Sequence, residues 1–409
     1  MIHGMTLDAA VVIPTILFGA FDRHNFGDLL FPHIAAALLE DNHPLFAGLA
    51  QRDLSCYGGH PVSALAQLAA DWGERPVNII HVGGEILTCD AWQAAVMLLP
   101  PDEAQATIAR FDGRPEERLA WARGKLGISA LAPYTLPRRL FPRAARIVYN
   151  AVGGVELSEC DPAMRAEVLA NLKAANAVSV RDQQTLAQLA EAGITARLIP
   201  DPAVMVAELF GTTIRRRAQD GEIAQILAAF PQGYLAVQFS ADFGDDATLT
   251  AIAAQLEQVS RSTGYGVVFF RAGAAPWHDD LRCYQRVAAR MRAPAVKLFV
   301  SLNLWDICTL IAFSHGYCGS SLHGRIIAMA FALPRLNLTH PGQARRPTKQ
   351  AAFAATWEKA DCSTAAEVHE IAQGIRHALS IDPRQHRQTA RELVAHYRQG
   401  YAAISAALK

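Results

Sequence analysis

In the stretch CGSSLHGRIIAMAFALP (318–334), the body IIAMAFAL has the all-round apolarity of a buried helix. Two serines, a histidine and an arginine precede or open it. Ser320 and Ser321 are good N-cap residues. Leu322, His323 and Arg325 follow in the first turn, beside backbone N–H groups that have no partner within the helix. The helix dipole adds partial positive charge at the same end, so the arrangement suits an anion. A histidine in that place could also move a proton near neutral pH. The plainer alternative is a capped helix carrying a core histidine.

Three other stretches carry candidate chemistry. FGAFDRHNFGDLLFPHI (18–34) reads as a strand end, a turn through Asn25 and Gly27, and a helix capped by Asp28. Small residues at a strand–loop–helix junction leave room for a ligand oxygen. The stretch lacks G-x-G-x-x-G and a Walker A lysine, which argues against a dinucleotide or ATP site. In HVGGEILTCD (81–90), Gly83 and Gly84 follow a buried strand and permit close backbone approach. Glu85 could orient a sugar hydroxyl or act as a base, or it could face solvent from a plain turn. In VSVRDQQTL (178–186), Arg181 stands where a strand gives way to a helix. Its guanidinium is expected at the C-terminal edge of the sheet, either gripping a carboxylate or phosphate with two prongs or pairing with Asp182, Asp201 or another local acid. Arg271, at the end of GVVFFR, is a further candidate cation. No H-E-x-x-H or His/Cys cluster has metal-ligand spacing, and there is no G-x-S-x-G elbow.

The elements that must position these residues alternate. Short β-rich runs (TILFGAF, VNIIHVG, ARIVYNAVGG, AVSVRD and ARLIPDP) are followed by amphipathic segments, and the rhythm restarts at YLAVQFS, GVVFFRAG, VKLFVS, GYCGSS and PRLNLT. Such alternation predicts an α/β fold with parallel sheets. WHDDLRCYQRVAARM, from Trp277 to Met291, reads as a helix between two of these strands. The 409 residues exceed what one hydrophobic core usually holds. Two doubly wound, Rossmann-like domains with a cleft between them are therefore expected. The first runs over 1–215, an interdomain crossing over the polar 216–232, the second over 233–382, and a helical tail over 383–409. Ligands of such sheets bind beyond the C-terminal strand ends, which makes the cleft the natural site.

Composition narrows the class. Hydrophobic residues make up 51% and charged ones 19%, as in a folded globular protein rather than a disordered one. The 38 basic and 38 acidic residues cancel, so nothing points to nucleic acid. Arginine runs at Arg138, Arg139, Arg143 and Arg146, and at Arg215, Arg216 and Arg217, read as solvated faces first and as docking patches for anionic lipid second. The seven cysteines are scattered, with no C-x-x-C pair, which favours a reducing cytoplasm. The apolar start from Ala9 lacks a basic n-region and an A-x-A site, is broken by Pro14 and is too short to span a bilayer. The expectation is a cytoplasmic protein, with peripheral contact at the inner face of the membrane as a further one.

In combination the four stretches resemble the polysaccharide pyruvyl transferase family. Its N-x-G-D loop is matched by Asn25-Phe26-Gly27-Asp28, and its glycine-rich turn by Gly83-Gly84-Glu85. Its S-x-R-D segment and later D-P are matched by Ser179-Val180-Arg181-Asp182 and Asp201-Pro202. Its L-H element and following L-P turn are matched by Leu322-His323 and Leu333-Pro334. The order is kept from about residue 15 to 340. Two places depart. Some members carry Arg where this chain has Ser321, with Arg325 as the nearest substitute, and some carry a third glycine where this chain has Glu85. The resemblance implies a GT-B-like fold, phosphoenolpyruvate as donor with no other cofactor and no metal, and transfer of pyruvate as a ketal onto two hydroxyls of an exopolysaccharide or cell-surface glycan, or its lipid-linked precursor. His323 and Arg181 would be catalytic. A GT-B glycosyltransferase using a nucleotide sugar and a non-catalytic glycan-binding relative are the alternatives.

Overall fold

The computed structural model describes residues 13–39, 43–292, 296–340, 348–360, 362 and 365–408. The apolar start lies outside them up to residue 12. The strands β1 (Thr15–Phe18), β2 (Leu45–Gly48), β3 (Arg52–Asp53), β4 (Pro61–Ala64), β5 (Val77–His81), β6 (Ala144–Val152), β7 (Ala177–Val180) and β8 (Arg197–Leu198) form one sheet. Its order is β3-β4-β2-β1-β5-β6-β7-β8, parallel throughout except for the short edge pair β3–β4. A second sheet holds β9 (Tyr234–Gln238), β10 (Gly266–Phe269), β11 (Val296–Leu298), β12 (Gly316–Gly319), β13 (Arg335–Thr339) and β14 (Ala365–Glu367). Its order is β11-β10-β9-β12-β13-β14, parallel throughout.

Both sheets contain a switch point. After β1 the chain winds outward through β2 and β4, then returns to the other side of β1 with β5. After β9 it winds outward through β10 and β11, then returns with β12. The central strands β1, β5 and β9 are buried along their whole length, as parallel strands covered on both faces must be. That burial is why they read as continuous apolar runs. The loops following β1, β5, β9 and β12 therefore emerge at the crevices where such sheets bind ligands.

The two halves share a core. Leu29 and Phe31 from the Phe26–Leu38 helix, Val204 and Met205, Ile307, and Ile326 from the Leu322–Ala330 helix belong to one buried apolar cluster. Residues 216–232, expected as a crossing, include the helix Gly221–Ala229, whose Ile223 and Ile226 join that cluster. The C-terminal helix Pro383–Ala406 straps both halves. Its His386 meets Arg335 on β13 at 3.1 Å, while its Tyr397 hydroxyl accepts from Asn150 Nδ2 on β6 at 2.9 Å. Gly400 lies so close to Ile199 that an added Cβ would stand 2.0 Å from its Cγ2. Among the described residues no helix is long and apolar enough to cross a membrane.

Candidate active site

The two switch points face each other. Asn25 forms an isolated antiparallel bridge with Gly273, and Phe26 N–H donates to Ala272 O at 2.9 Å. This seam brings the loop after β1 against the loop after β10. Beside it opens a cavity of about 540 Å³ lined from both halves. Asn25, Asp28, Glu85, Arg181, Ser320, Ser321, Leu322 and His323 all border it.

His323 is held most tightly. It sits in the first turn of the Leu322–Ala330 helix, whose N-cap is Ser321, with the Ser321 hydroxyl accepting from Gly324 N–H at 3.2 Å. The first intrahelical bond runs from Arg325 N–H to Ser321 O, so the N–H groups of Leu322 and His323 precede it, as at any helix start. The imidazole is pressed against the opposite helix at Gly27, where an added Cβ would stand 1.9 Å from Nδ1. Phe31 packs edge-on at a centroid distance of 5.2 Å. Nε2 is buried without a hydrogen bond and lies 3.7 Å from Asp201 Oδ2, and the ring borders the cavity. Burial alone would raise the Asp201 carboxyl; His323, Arg181 and the Ala203 N–H together hold it below its ordinary value. Asp201 is thus a fixed, ionised carboxylate placed to steady an imidazolium. Gly27→Ala should displace the ring or push the two helices apart. We expect at least ~100-fold loss of turnover with ~1–3 kcal/mol of destabilisation from overpacking, read by steady-state kinetics and thermal unfolding.

Arg181 departs from the anion grip expected of it. Its Nη1 donates to Asp201 Oδ2 at 2.9 Å and its Nη2 to Glu85 Oε2. The side chain is 2% exposed. Both prongs are spent on two carboxylates, Asp201 fully buried and Glu85 partly so, and Arg181 thereby positions Glu85 and Asp201. Glu85 also accepts from Val155 N–H at 2.9 Å. Asp182 serves as a helix cap, accepting from Thr185 N–H at 2.7 Å. Gly153 makes room for this cluster, since an added Cβ would stand 2.3 Å from Glu85 Oε2.

Arg325 corrects a second expectation. It is fully buried and binds Glu358 with Nε on Oε1 at 2.7 Å and Nη2 on Oε2 at 2.8 Å. It does not border the cavity, and neither does Arg271, whose charge is felt at His24 instead. Gly83 and Gly84 do not border it either. Their φ values of 128° and 94° are ones that L side chains rarely adopt, and they carry the chain from β5 past Pro202 and Asp28. Of the serine pair, Ser321 caps, while the Ser320 hydroxyl accepts from Ser240 N–H at 3.1 Å.

Several cavity residues were not singled out from the sequence. Arg23 follows β1, is 9% exposed and borders the cavity. Its Nη1 donates to the Tyr134 hydroxyl, while its Nε is buried without a partner. Gln238 ends β9 and joins two loops: its Oε1 accepts from Ser321 N–H at 2.8 Å, and its Nε2 donates to Asp279 Oδ1 at 2.7 Å. His278 Nδ1 lies 2.9 Å from Pro276 O and must donate there, so Nε2 accepts from Asn25 Nδ2 at 3.2 Å. Burial, together with the nearby Arg23 and Lys349, lowers its pKa to about 4. That neutral imidazole ties the Asn25 turn to the second half. Lys349 also borders the cavity and is exposed. Among the described residues no group of His, Cys, Asp and Glu is arranged to hold a metal ion.

Comparison with solved structures shows the fold. The Methanocaldococcus jannaschii UDP-GlcNAc 2-epimerase aligns over 94% of this chain and 100% of its own, with 10% identity and a TM-score of 0.53. The S. aureus MnaA protein, solved with UDP, aligns over 95% and 96%, with 12% identity and a TM-score of 0.52. The trehalose-6-phosphate synthase OtsA aligns over 97% and 98%, with 10% identity and a TM-score of 0.50. These are GT-B enzymes, and the two-sheet architecture here is theirs. No curated protein matches in sequence. Residues 122–340, more than half of the chain, match the model of the family described as polysaccharide pyruvyl transferase. That span takes in Arg181, Asp201 and the whole Ser320–Leu333 element, and the chain belongs to the polysaccharide pyruvyl transferase family.

Proposed function

We propose that this protein moves the pyruvyl group of phosphoenolpyruvate onto two hydroxyls of a glycan, or of its lipid-linked precursor, as a ketal. The observation that carries the reading is His323: a ring that borders the cleft at a helix N-terminus, with one nitrogen backed by the ionised Asp201. The donor carries a carboxylate and a phosphate close together and needs converging positive groups. Arg23 from the first half, and Lys349 with the first-turn N–H groups of Leu322 and His323 from the second, supply them.

In this reading the protonated His323 gives a proton to the donor's methylene carbon, which becomes a methyl group. A glycan hydroxyl bonds to the adjacent carbon and returns its proton to His323. The second hydroxyl then bonds to the same carbon as the carbon–oxygen bond to phosphate breaks, and its proton leaves with phosphate. Asp201 steadies each imidazolium, Arg181 keeps Asp201 in place, and Asp28 on the cavity wall accepts from a glycan hydroxyl.

Thermal unfolding with phosphoenolpyruvate, and with UDP as control, tests the donor. A ligand at 100 times its dissociation constant stabilises by roughly 2.7 kcal/mol. We expect a clear upward shift with phosphoenolpyruvate and none with UDP. Stabilisation by UDP alone would replace this reading with a nucleotide-sugar transferase. Binding without phosphate release on any glycan would leave a non-catalytic relative.

A further inference from the structure

Three large hydrophobic side chains are exposed among the described residues, Leu45, Trp277 and Val300, and of these Trp277 alone borders the cavity. The sequence pattern predicts Trp277 at the start of a helix. The helix instead begins at Leu281, capped by Asp280, and Trp277 stays in the preceding loop at φ 63° with 47% of its surface exposed. Both features are unfavourable. A left-handed backbone is strained for a bulky residue, and an indole in water forgoes the burial that aromatic side chains favour.

The loop imposes both. His278 N–H donates to Ala275 O at 3.2 Å, and His278 O accepts from Ala241 N–H at 3.0 Å. Asp279 accepts from Ala272 N–H at 2.6 Å and from Gln238 Nε2 at 2.7 Å. His278 is tied across the seam to Asn25. Residues on either side of Trp277 are thereby fixed, and the indole is presented at the cavity wall. A donor as small as phosphoenolpyruvate fills only part of about 540 Å³. Gln93 from the first half, with Ser240 and Asp242 from the second, border the same cavity and can pair with hydroxyls.

We propose that Trp277 is the stacking platform of an acceptor subsite for a hexopyranoside, whose C–H-bearing ring face lies on the indole while its hydroxyls reach Gln93, Ser240 and Asp242. The negative face of an aromatic ring suits the polarised C–H groups of a sugar, and a rigid ring loses little conformational freedom on binding. The inference rests on the pyruvyl-transfer reading for why a sugar enters, but its contacts do not involve the donor.

The test uses the full chain and immobilised hexopyranosides (glucose, galactose, mannose and their 2-acetamido forms) with saturating phosphoenolpyruvate. Wild type should retain at least one. Trp277→Ala should weaken that binding by about tenfold or more, and Trp277→Phe by no more than about threefold. The thermal shift with phosphoenolpyruvate should be the same in all three proteins. Wild-type affinity in Trp277→Ala, no glycoside retained by wild type, or equal loss of donor stabilisation and glycan binding would each overturn the subsite. Glycan binding that depends on Trp277 with no donor stabilisation of wild type would uphold the subsite and sink the donor assignment.

Discussion

His323→Gln is expected to cut turnover by roughly 100- to 10,000-fold, the range general acid–base catalysis contributes, while stabilisation by phosphoenolpyruvate survives. Gln keeps a side-chain amide of similar reach but cannot shuttle a proton. The ring's seat against Gly27 and Phe31 makes packing loss the main confounder. Thermal unfolding of the variant controls for it, and a fold loss without a turnover loss per folded molecule would refute the assignment. Asp201→Asn offers a second view. It keeps the shape, removes the charge 3.7 Å from Nε2 and leaves Arg181 with Glu85 alone. If Asp201 steadies the imidazolium, Asp201→Asn should lower kcat with little change in the donor's KM. Wild-type kcat in His323→Gln would remove the proton shuttle from this residue altogether.

The parts of the site that were legible in the sequence share one cause. Asn25, Glu85, Arg181 and His323 each follow a short apolar run, and parallel strands deliver their C-terminal ends to one crevice. Family resemblance added the order of those stretches. Partnership was not legible. Arg181 meets Glu85 from 96 residues away and Asp201 from 20 away, and only the folded chain shows that both prongs are taken. Arg325 was separable in principle: residues two apart on a helix do not face the same side, so with His323 in the cleft Arg325 points inward. Trp277 was hidden by composition, because WHDDLRCYQ continues a helical pattern until Asp280 is seen to cap. Arg23 was hidden by its neighbours, as Asp22 suggests a plain surface pair. The fold puts Asp22 at full burial, with Leu49 and Ala50 N–H groups on its Oδ2 and the Tyr134 hydroxyl on its Oδ1.

Glu358→Gln should be among the most destabilising single changes in the protein, about 3–5 kcal/mol. Glu358 follows the Lys349–Trp357 helix and receives Arg325 through Nε and Nη2, and Arg335 through Nε at 3.1 Å and Nη2. All three side chains are at most 1% exposed. The amide could still accept hydrogen bonds but would remove the carboxylate charge that both buried guanidinium groups share, which the interior penalises more than it rewards an intact pair. The cluster also anchors the helix bearing His323 from behind, so residual activity should fall with stability. Burial opposes the Glu358 charge, but Arg325 and Arg335 hold its carboxyl below the ordinary range. A depressed folded-state value contributes stability that is present above the unfolded one and fades as pH falls through the folded one. The gap between wild type and Glu358→Gln in denaturant unfolding should therefore be constant near neutrality and narrow from about pH 4.3 downward. Arg325→Met, Arg335→Met and Glu358→Leu together remove these three charges at once. That triple variant should be markedly more stable than Glu358→Gln. If instead it is the less stable of the two, the cluster's packing, and not its charge balance, is what holds the His323 helix in place.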